Sequence, residues 1–175
     1  MVAIGLFSLV MLLATGAFLK FMSLERVARY TNDVTTNLSF AIDSMSRSIR
    51  TGTDYQCGQT GTNCWPTGQN SFSFTDDQGR TVTYIVKGNG ALGRCTVTPC
   101  NDLTAIDLTD KRITIQDLDF FVQGVGTSIT DPMINYTQPQ VLIRIQGTMS
   151  PEPEQPPVSF TIQTMATQRL LELPL

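Results

Sequence analysis

The first 21 residues, MVAIGLFSLVMLLATGAFLKF, form an apolar run in which Lys20 is the first charged residue. A helix over residues 1–21 is long enough to cross a hydrocarbon layer of about 30 Å at about 1.5 Å per residue. The run therefore predicts a membrane-spanning segment. The residues expected to face lipid, or the same segment of other copies of the chain, are Val2, Ile4, Gly5, Leu6, Phe7, Leu9, Val10, Leu12, Leu13, Gly16, Phe18 and Leu19.

The chain continues over residues 22–51 as MSLERVARYTNDVTTNLSFAIDSMSRSIRT, without a proline. Its apolar residues recur at steps of three and four between charged and polar ones, which is typical of an amphipathic helix. Residues 1–51 therefore predict one helix, about 75 Å long. We expect it to end at Thr51 and Gly52, with the glycine in a left-handed conformation. The stripe expected to pack on a sheet is Val27, Tyr30, Val34, Leu38, Ile42, Met45 and Ile49.

A signal peptide is a competing interpretation of the apolar run. It requires a basic region before the run and small residues at a cleavage site after it. With Met1 first no such region precedes the run, and AFLKFMSLERV ends it with bulky residues. A single-pass anchored protein remains an alternative. Lys20, Arg26 and Arg29, counted alone, would keep the C-terminal part in the cytoplasm, whereas paired cysteines favour the opposite side.

After residue 54 the periodicity changes to alternation, which predicts strands. FSF (72–74) precedes the sequence DDQGR and VTYIV (82–86) follows it, which indicates a β-hairpin with its turn at residues 76–79. Further strands are predicted at about residues 92–97, 113–123, 141–147 and 158–164, the last two separated by the proline-rich TMSPEPEQPP. Residues 52–175 are expected to form a β-rich globular domain. The predicted fold class is α+β, a long N-terminal helix packed on an antiparallel β-sheet.

Four cysteines form two close pairs, Cys57 with Cys64 and Cys95 with Cys100. In an oxidising compartment such pairs form local disulfides. A zinc site usually requires C-x-x-C, which neither CGQTGTNC nor CTVTPC contains, and free thiols are the other alternative. Loops this short would add about 2 to 2.5 kcal/mol each to stability. We therefore expect the disulfides to hold loops rather than to build the fold.

The composition argues against several classes of function. The chain has 12 Lys and Arg residues, 15 Asp and Glu residues and a net charge of −3, with the basic residues scattered. Nucleic acid is therefore not an expected partner. The chain has no histidine, and no serine or threonine has a plausible base beside it. We expect no catalytic residue, no cofactor and no metal site, so the protein is not expected to be an enzyme.

Weaker candidates lie in the loops. Trp65, the one tryptophan, is expected either to anchor the loop after the helix on the sheet or to contact a neighbouring subunit. Asp76 and Asp77 are expected to form the hairpin turn, and Glu152 and Glu154 to keep the proline-rich loop soluble. Acidic residues near Lys111 and Arg112 are expected to be solvated charges, with a weak cation site as the alternative. These acidic residues are Asp107, Asp110, Asp117 and Asp119.

The N-terminal helix resembles that of type IV pilins and of the related type II secretion pseudopilins. In that family a short basic leader is cut before a segment of the form F-T-L-I-E, and a hydrophobic stretch follows. MVAIGLFSLVMLLATGAF, residues 1–18, is similar to the continuation after that glutamate, and Gly16 falls where many members carry proline. The sequences ITIQDLDFFVQG, QVLIRIQG and FTIQTMATQR resemble the sheet of minor pilins and J-type pseudopilins.

The resemblance implies a structural subunit, more in the manner of a minor than a major pilin, of a type IV pilus or pilus-like filament. The implied partners are other pilin subunits, the inner membrane, the pilus assembly machinery and a prepilin peptidase. The implied location is the bacterial inner membrane, crossed once with the C-terminal domain outside, and then an extracellular filament. A type II secretion pseudopilin and a non-polymerising, single-pass anchored binding domain are the alternatives. On this resemblance Met1 is expected to be an internal residue, preceded by the leader, the methylated N-terminal aromatic residue and the family's glutamate.

Overall fold

A computed structural model describes residues 2–58, 61, 63–125, 138–150 and 157–169. The chain begins with a helix, α1, over Val2–Thr51, and continues as β-strands. The helix is 50 residues long and unbroken, as the lack of proline and the continuous apolar stripe predict. The predicted α+β class, a long N-terminal helix with antiparallel sheets, is confirmed.

The first sheet has five strands that lie side by side in chain order, each antiparallel to the next. They are β1 (Thr53–Cys57), β2 (Phe72–Thr75), β3 (Thr81–Val86), β4 (Leu92–Cys95) and β5 (Ile106–Asp107). The predicted hairpin is the pair β2 and β3. In its turn the Gly79 N–H donates to the Asp76 carbonyl (3.0 Å), and Gly79 has a φ of 75°. Glycine takes this left-handed conformation without strain because it has no Cβ.

The second sheet has three antiparallel strands, β6 (Ile113–Gln123), β7 (Gln140–Met149) and β8 (Val158–Thr167), with β7 in the middle. A single bridge joins its β6 strand to the segment before β2: the Gln69 N–H donates to the Phe120 carbonyl (3.0 Å) and the Phe120 N–H donates to the Gln69 carbonyl (2.8 Å). The bridge connects the loop between β1 and β2 with the second sheet.

A bulge in β6 keeps its apolar side chains on one face. The register with β7 shifts between Ile115 and Asp117, and an extra residue at that point reverses the alternation of inward and outward side chains. Ile115 before the bulge and Leu118 and Phe120 after it are therefore all buried. The sequence ITIQDLDFFV thus supplies one continuous apolar surface despite its broken alternation.

The core lies between α1 and the two sheets, and residues from all three contribute to it. Five aromatic rings form its centre and pack at centroid distances of 5.2 to 6.4 Å. Complete burial of each such side chain stabilises the fold by about 1.5 to 3 kcal/mol before entropy costs. The rings belong to Tyr55, Phe72, Phe74, Tyr84 and Phe120.

The prediction of the strands was incomplete. Two sheets are present where one was expected, β1 and β5 were not predicted, and the strand expected at 92–97 ends at Cys95. β5 has only two residues, and β1 has only five and carries a register shift, so neither offers an alternation long enough to mark a strand in a sequence. The predictions for Met1, Glu152 and Glu154 concern residues outside the described ranges.

The prediction for Gly52 was wrong. Gly52 is not left-handed; the positive φ after the helix, 54°, belongs to Asp54. A Cβ on Gly52 would overlap with Cδ2 of Phe74. Glycine is required at this position because the helix end lies directly against the Phe74 ring, rather than because the cap needs a left-handed residue.

Candidate functional site

The first half of α1 is an exposed apolar rod. All of the residues predicted to span the membrane are exposed, with Val2 at 79% and Leu12 at 76%. The 18-residue window that is apolar enough to cross a membrane is 0% buried in the rest of the chain. A Cβ on Gly5 or Gly16 would find no atom within 4 Å. One helix near the N-terminus is therefore long and apolar enough to span a membrane.

The polar side chains within this rod are satisfied by the helix itself. The Ser8 hydroxyl donates to the Ile4 carbonyl (2.9 Å), and the Thr15 hydroxyl donates to the Met11 carbonyl (2.8 Å). A hydroxyl without a partner is costly in an apolar surrounding, and the bond to the preceding turn removes much of that cost. Neither residue therefore prevents an apolar environment around the helix.

The second half of α1 is buried on one side. Of the predicted packing stripe, Val34, Leu38, Ile42, Met45 and Ile49 are buried in the common core. The other two members, at positions 27 and 30, are half-buried. The helix therefore meets the core from residue 34 onward, later than the periodicity alone indicates, and residues 2–33 extend beyond the fully buried stripe.

The C-terminal end of α1 is held by hydrogen bonds to its carbonyl groups. The Tyr55 hydroxyl, which is buried, donates to the Ile49 carbonyl (2.6 Å), and Nε2 of Gln168 donates to the Gly52 carbonyl (2.9 Å). Carbonyls at the C-terminal end of a helix need partners from outside it, and the Ile49 carbonyl also accepts the Gly52 N–H (3.0 Å). Burial raises the pKa of Tyr55, so the hydroxyl remains a donor. The sequence analysis did not identify Tyr55, although it alternates with Cys57 in TDYQC.

A turn before β6 holds α1 near the start of the buried stripe. The Asp110 N–H donates to Oδ1 of Asn37 on the helix (3.0 Å). Arg112 forms a salt bridge with Asp110 (2.9 Å) and places its guanidinium carbon 5.9 Å from the centroid of the Tyr30 ring. Hydrogen bonds from Arg112 lower the pKa of Asp110. This contact links the polar face of the helix to the sheet.

Both predicted disulfides are present, Cys57 with Cys64 and Cys95 with Cys100. The first closes the segment after β1, and the Cys64 N–H donates to the Val122 carbonyl (3.0 Å), so the loop is also fixed to β6. The second closes the loop after β4. The Cys95–Cys100 disulfide lies outside the core cluster, as expected for one that holds a loop, whereas Cys57 and Cys64 are both part of the buried core.

Trp65 combines features of its two predicted roles. Its ring packs edge to face on Phe121 of β6, with 5.9 Å between centroids, and the side chain remains 54% exposed. Gly68 permits the loop to pass over the same ring, since a Cβ there would lie 2.8 Å from Phe121. Trp65 thus anchors the loop on the sheet and leaves one side free for another contact.

The acidic residues near β6 are mostly paired with basic ones. The pairs are Asp107 with Lys87 (2.5 Å), Asp110 with Arg112 (2.9 Å) and Asp119 with Arg144 (2.5 Å), while Asp117 is exposed. Asp76 accepts backbone N–H groups of Arg80 and Gln78, and these bonds with the Arg80 side chain lower its pKa. In the described part of the chain no three potential metal ligands come together.

Comparison with family models, with curated proteins and with solved structures finds no match to this chain. The general arrangement is pilin-like: a long apolar N-terminal helix is packed on antiparallel sheets, and the domain contains disulfides. The site that this geometry defines is the exposed half of α1, together with the junction at which the helix enters the domain.

Proposed function

We propose that this protein is a structural subunit, of the minor kind, of a type IV pilus or a pilus-like filament. The observation that carries the proposal is the division of one unbroken helix, Val2–Thr51, into an exposed apolar half and a half buried in the domain. An apolar surface of this size is unstable in water and requires lipid or protein around it. A filament subunit uses both environments in turn.

The first half of α1 would hold the subunit in the bacterial inner membrane before assembly. In the filament it would exchange lipid for the same segments of neighbouring subunits, so that helix packing replaces lipid contacts. Gly5 and Gly16 support this step, because the open space beside them permits another helix to approach closely. The internal hydrogen bonds of Ser8 and Thr15 are compatible with either surrounding.

The domain of residues 52–175 would form the outer layer of the filament. Residues 2–33 provide a stem of about 48 Å, which separates the domain from the apolar centre. The two disulfides and the shared core support a domain that keeps its shape outside the cell. Partly exposed Trp65 provides a candidate contact with an adjacent subunit.

The proposed partners are other pilin subunits, the assembly machinery and a prepilin peptidase. The sequence of the DNA upstream of the Met1 codon tests this proposal directly. We expect an in-frame basic leader that ends in glycine and is followed by F-T-L-I-E or a similar segment. If the upstream DNA encodes no such leader, the proposal fails and a non-polymerising anchored domain becomes the better account.

Deletion of this gene distinguishes a pilus from a type II secretion system. An assembly ATPase and a prepilin peptidase encoded nearby are expected in either case. A pilus predicts that deletion of this gene changes the number or length of surface filaments. A pseudopilin predicts instead that secretion of folded proteins is lost while surface filaments remain, and that result would replace the pilus assignment.

A further inference from the structure

A groove of about 720 Å³ lies between the last turns of α1 and the end of β8. Its charged residues are Arg47 and Arg50 from the helix, Arg169 after β8, and a single carboxylate, that of Asp43. Three arginines and one aspartate thus line the groove, in a chain whose net charge is −3. The groove is a local positive site on an acidic protein.

The fold brings two of these arginines together although their charges repel. The Arg169 N–H donates to the Arg50 carbonyl (2.8 Å), so the two residues are adjacent across the groove. Within the described ranges neither residue forms a salt bridge, whereas Arg47 pairs with Asp43 at 3.2 Å. Like charges held close together cost stability unless an anion lies between them.

The helix dipole explains only part of this arrangement. Basic side chains near a helix C-terminus interact favourably with the carbonyl end, which accounts for Arg47 and Arg50. It does not account for Arg169, which comes from a different element more than a hundred positions along the chain. The presence of all three arginines in the lining of one groove therefore points to an anionic ligand.

The position of the groove argues against a lipid phosphate as the ligand. From Leu19, at the end of the apolar run, to Asp43 the helix rises about 36 Å, which is too far for a headgroup of the membrane that the run would span. Planar guanidinium groups bind a carboxylate through two parallel hydrogen bonds. The Asp43 carboxylate in the lining would repel a phosphate dianion more than a singly charged group.

We propose that this groove binds the carboxylate groups of an acidic peptide segment from another protein chain. Arg50 and Arg169 hold the carboxylates. The groove is larger than a single small anion requires, which favours a segment that fills it over an isolated ion. The inference does not depend on the filament proposal, since an anchored domain could use the same groove.

The test is a titration of the full-length chain in detergent micelles with the acetylated and amidated peptide Ala-Glu-Ala-Glu-Ala. Side-chain Nε–Hε signals of the arginines, observed by NMR, report binding. We expect saturable shifts for Arg50 and Arg169 and none with Ala-Gln-Ala-Gln-Ala. Arg50→Gln and Arg169→Gln should each weaken binding about tenfold, because each removes a hydrogen bond to a charged group.

The control variant is Arg26→Gln, which changes an exposed arginine on the same helix outside the groove and should leave the affinity unchanged. The proposal is overturned if the glutamine peptide binds equally well, if inorganic phosphate binds as tightly as the acidic peptide, if Arg26→Gln weakens binding as much as the groove variants, or if no saturable shift occurs.

Discussion

The two halves of α1 have the same backbone structure and opposite surroundings. Residues 2–21 expose every apolar side chain, whereas from Val34 onward one stripe is buried almost completely. Backbone hydrogen bonding is therefore not what distinguishes them. The difference lies in the polar face, which the second half has and the first half largely lacks. A helix with one apolar stripe can bury that stripe against its own domain. A helix that is apolar on all sides requires lipid or another protein chain around it.

The strongest test of this contrast is one substitution made in each half. Ile49→Ala removes a side chain that is 0% exposed and should lower the free energy of unfolding of the domain by about 2 to 5 kcal/mol. Ile4→Ala, at a residue that is 69% exposed, should change it by less than about 0.5 kcal/mol. Denaturant unfolding in detergent, followed by Trp65 fluorescence, measures both. Equal losses would show that the first half also packs on the domain.

A charge placed in the exposed half of α1 tests whether that half inserts into a membrane. Leu12→Lys should weaken membrane insertion by about 3 kcal/mol, because lysine near the centre of a span is unfavourable on insertion scales. The fraction of the chain that resists alkaline extraction from membranes measures this effect. Ser44→Lys, on the exposed face of the second half, is the matched control and should not alter the fraction. If Leu12→Lys is retained in the membrane as well as the unchanged chain, the spanning segment is misassigned.

The Tyr55 hydroxyl is one of the groups that hold the end of the buried half. Tyr55→Phe removes the donor to the Ile49 carbonyl and leaves that helix-end carbonyl without this partner, which should cost about 1 to 2 kcal/mol of unfolding free energy. Tyr30→Phe, at a half-buried residue on the helix, should have a much smaller effect. Similar values for the two variants would mean that the Tyr55 bond adds nothing to the anchoring of α1.

The smallest expected effect concerns pH at the start of the buried half. Arg112 lowers the pKa of Asp110 below its ordinary value of 3.8. The interaction of the Asp110 carboxylate with Arg112 therefore stabilises the fold above about pH 4. This stabilisation is lost as the pH falls through the lower pKa that Asp110 has in the folded state. In Asp110→Asn this acid-dependent part of the unfolding free energy should disappear. Asn37→Ala removes only the helix acceptor of the Asp110 N–H and should lower stability equally at all pH values. If the change of the unfolding free energy with pH is the same in Asp110→Asn as in the unchanged chain, the acid sensitivity belongs to other groups.

Much of this fold could be predicted from the sequence because its main features are local. Periodicity marks the helix and the β2–β3 hairpin, and spacing marks the two cysteine pairs. Contacts between distant residues leave no such signal. Gly52 against Phe74 and Arg50 beside Arg169 depend on how the elements pack, so neither could be inferred from spacing. Periodicity also gives the face of α1 that packs but not the point at which the domain begins to cover it.

The most direct test of the filament account is the location of the chain in its own cell. Surface filaments are sheared from the cells, and the sheared and membrane fractions are probed for the domain of residues 52–175. The account predicts the domain in the sheared filament fraction, and its absence from that fraction when the prepilin peptidase gene is deleted. Retention of the whole chain in the membrane fraction of both strains would contradict it.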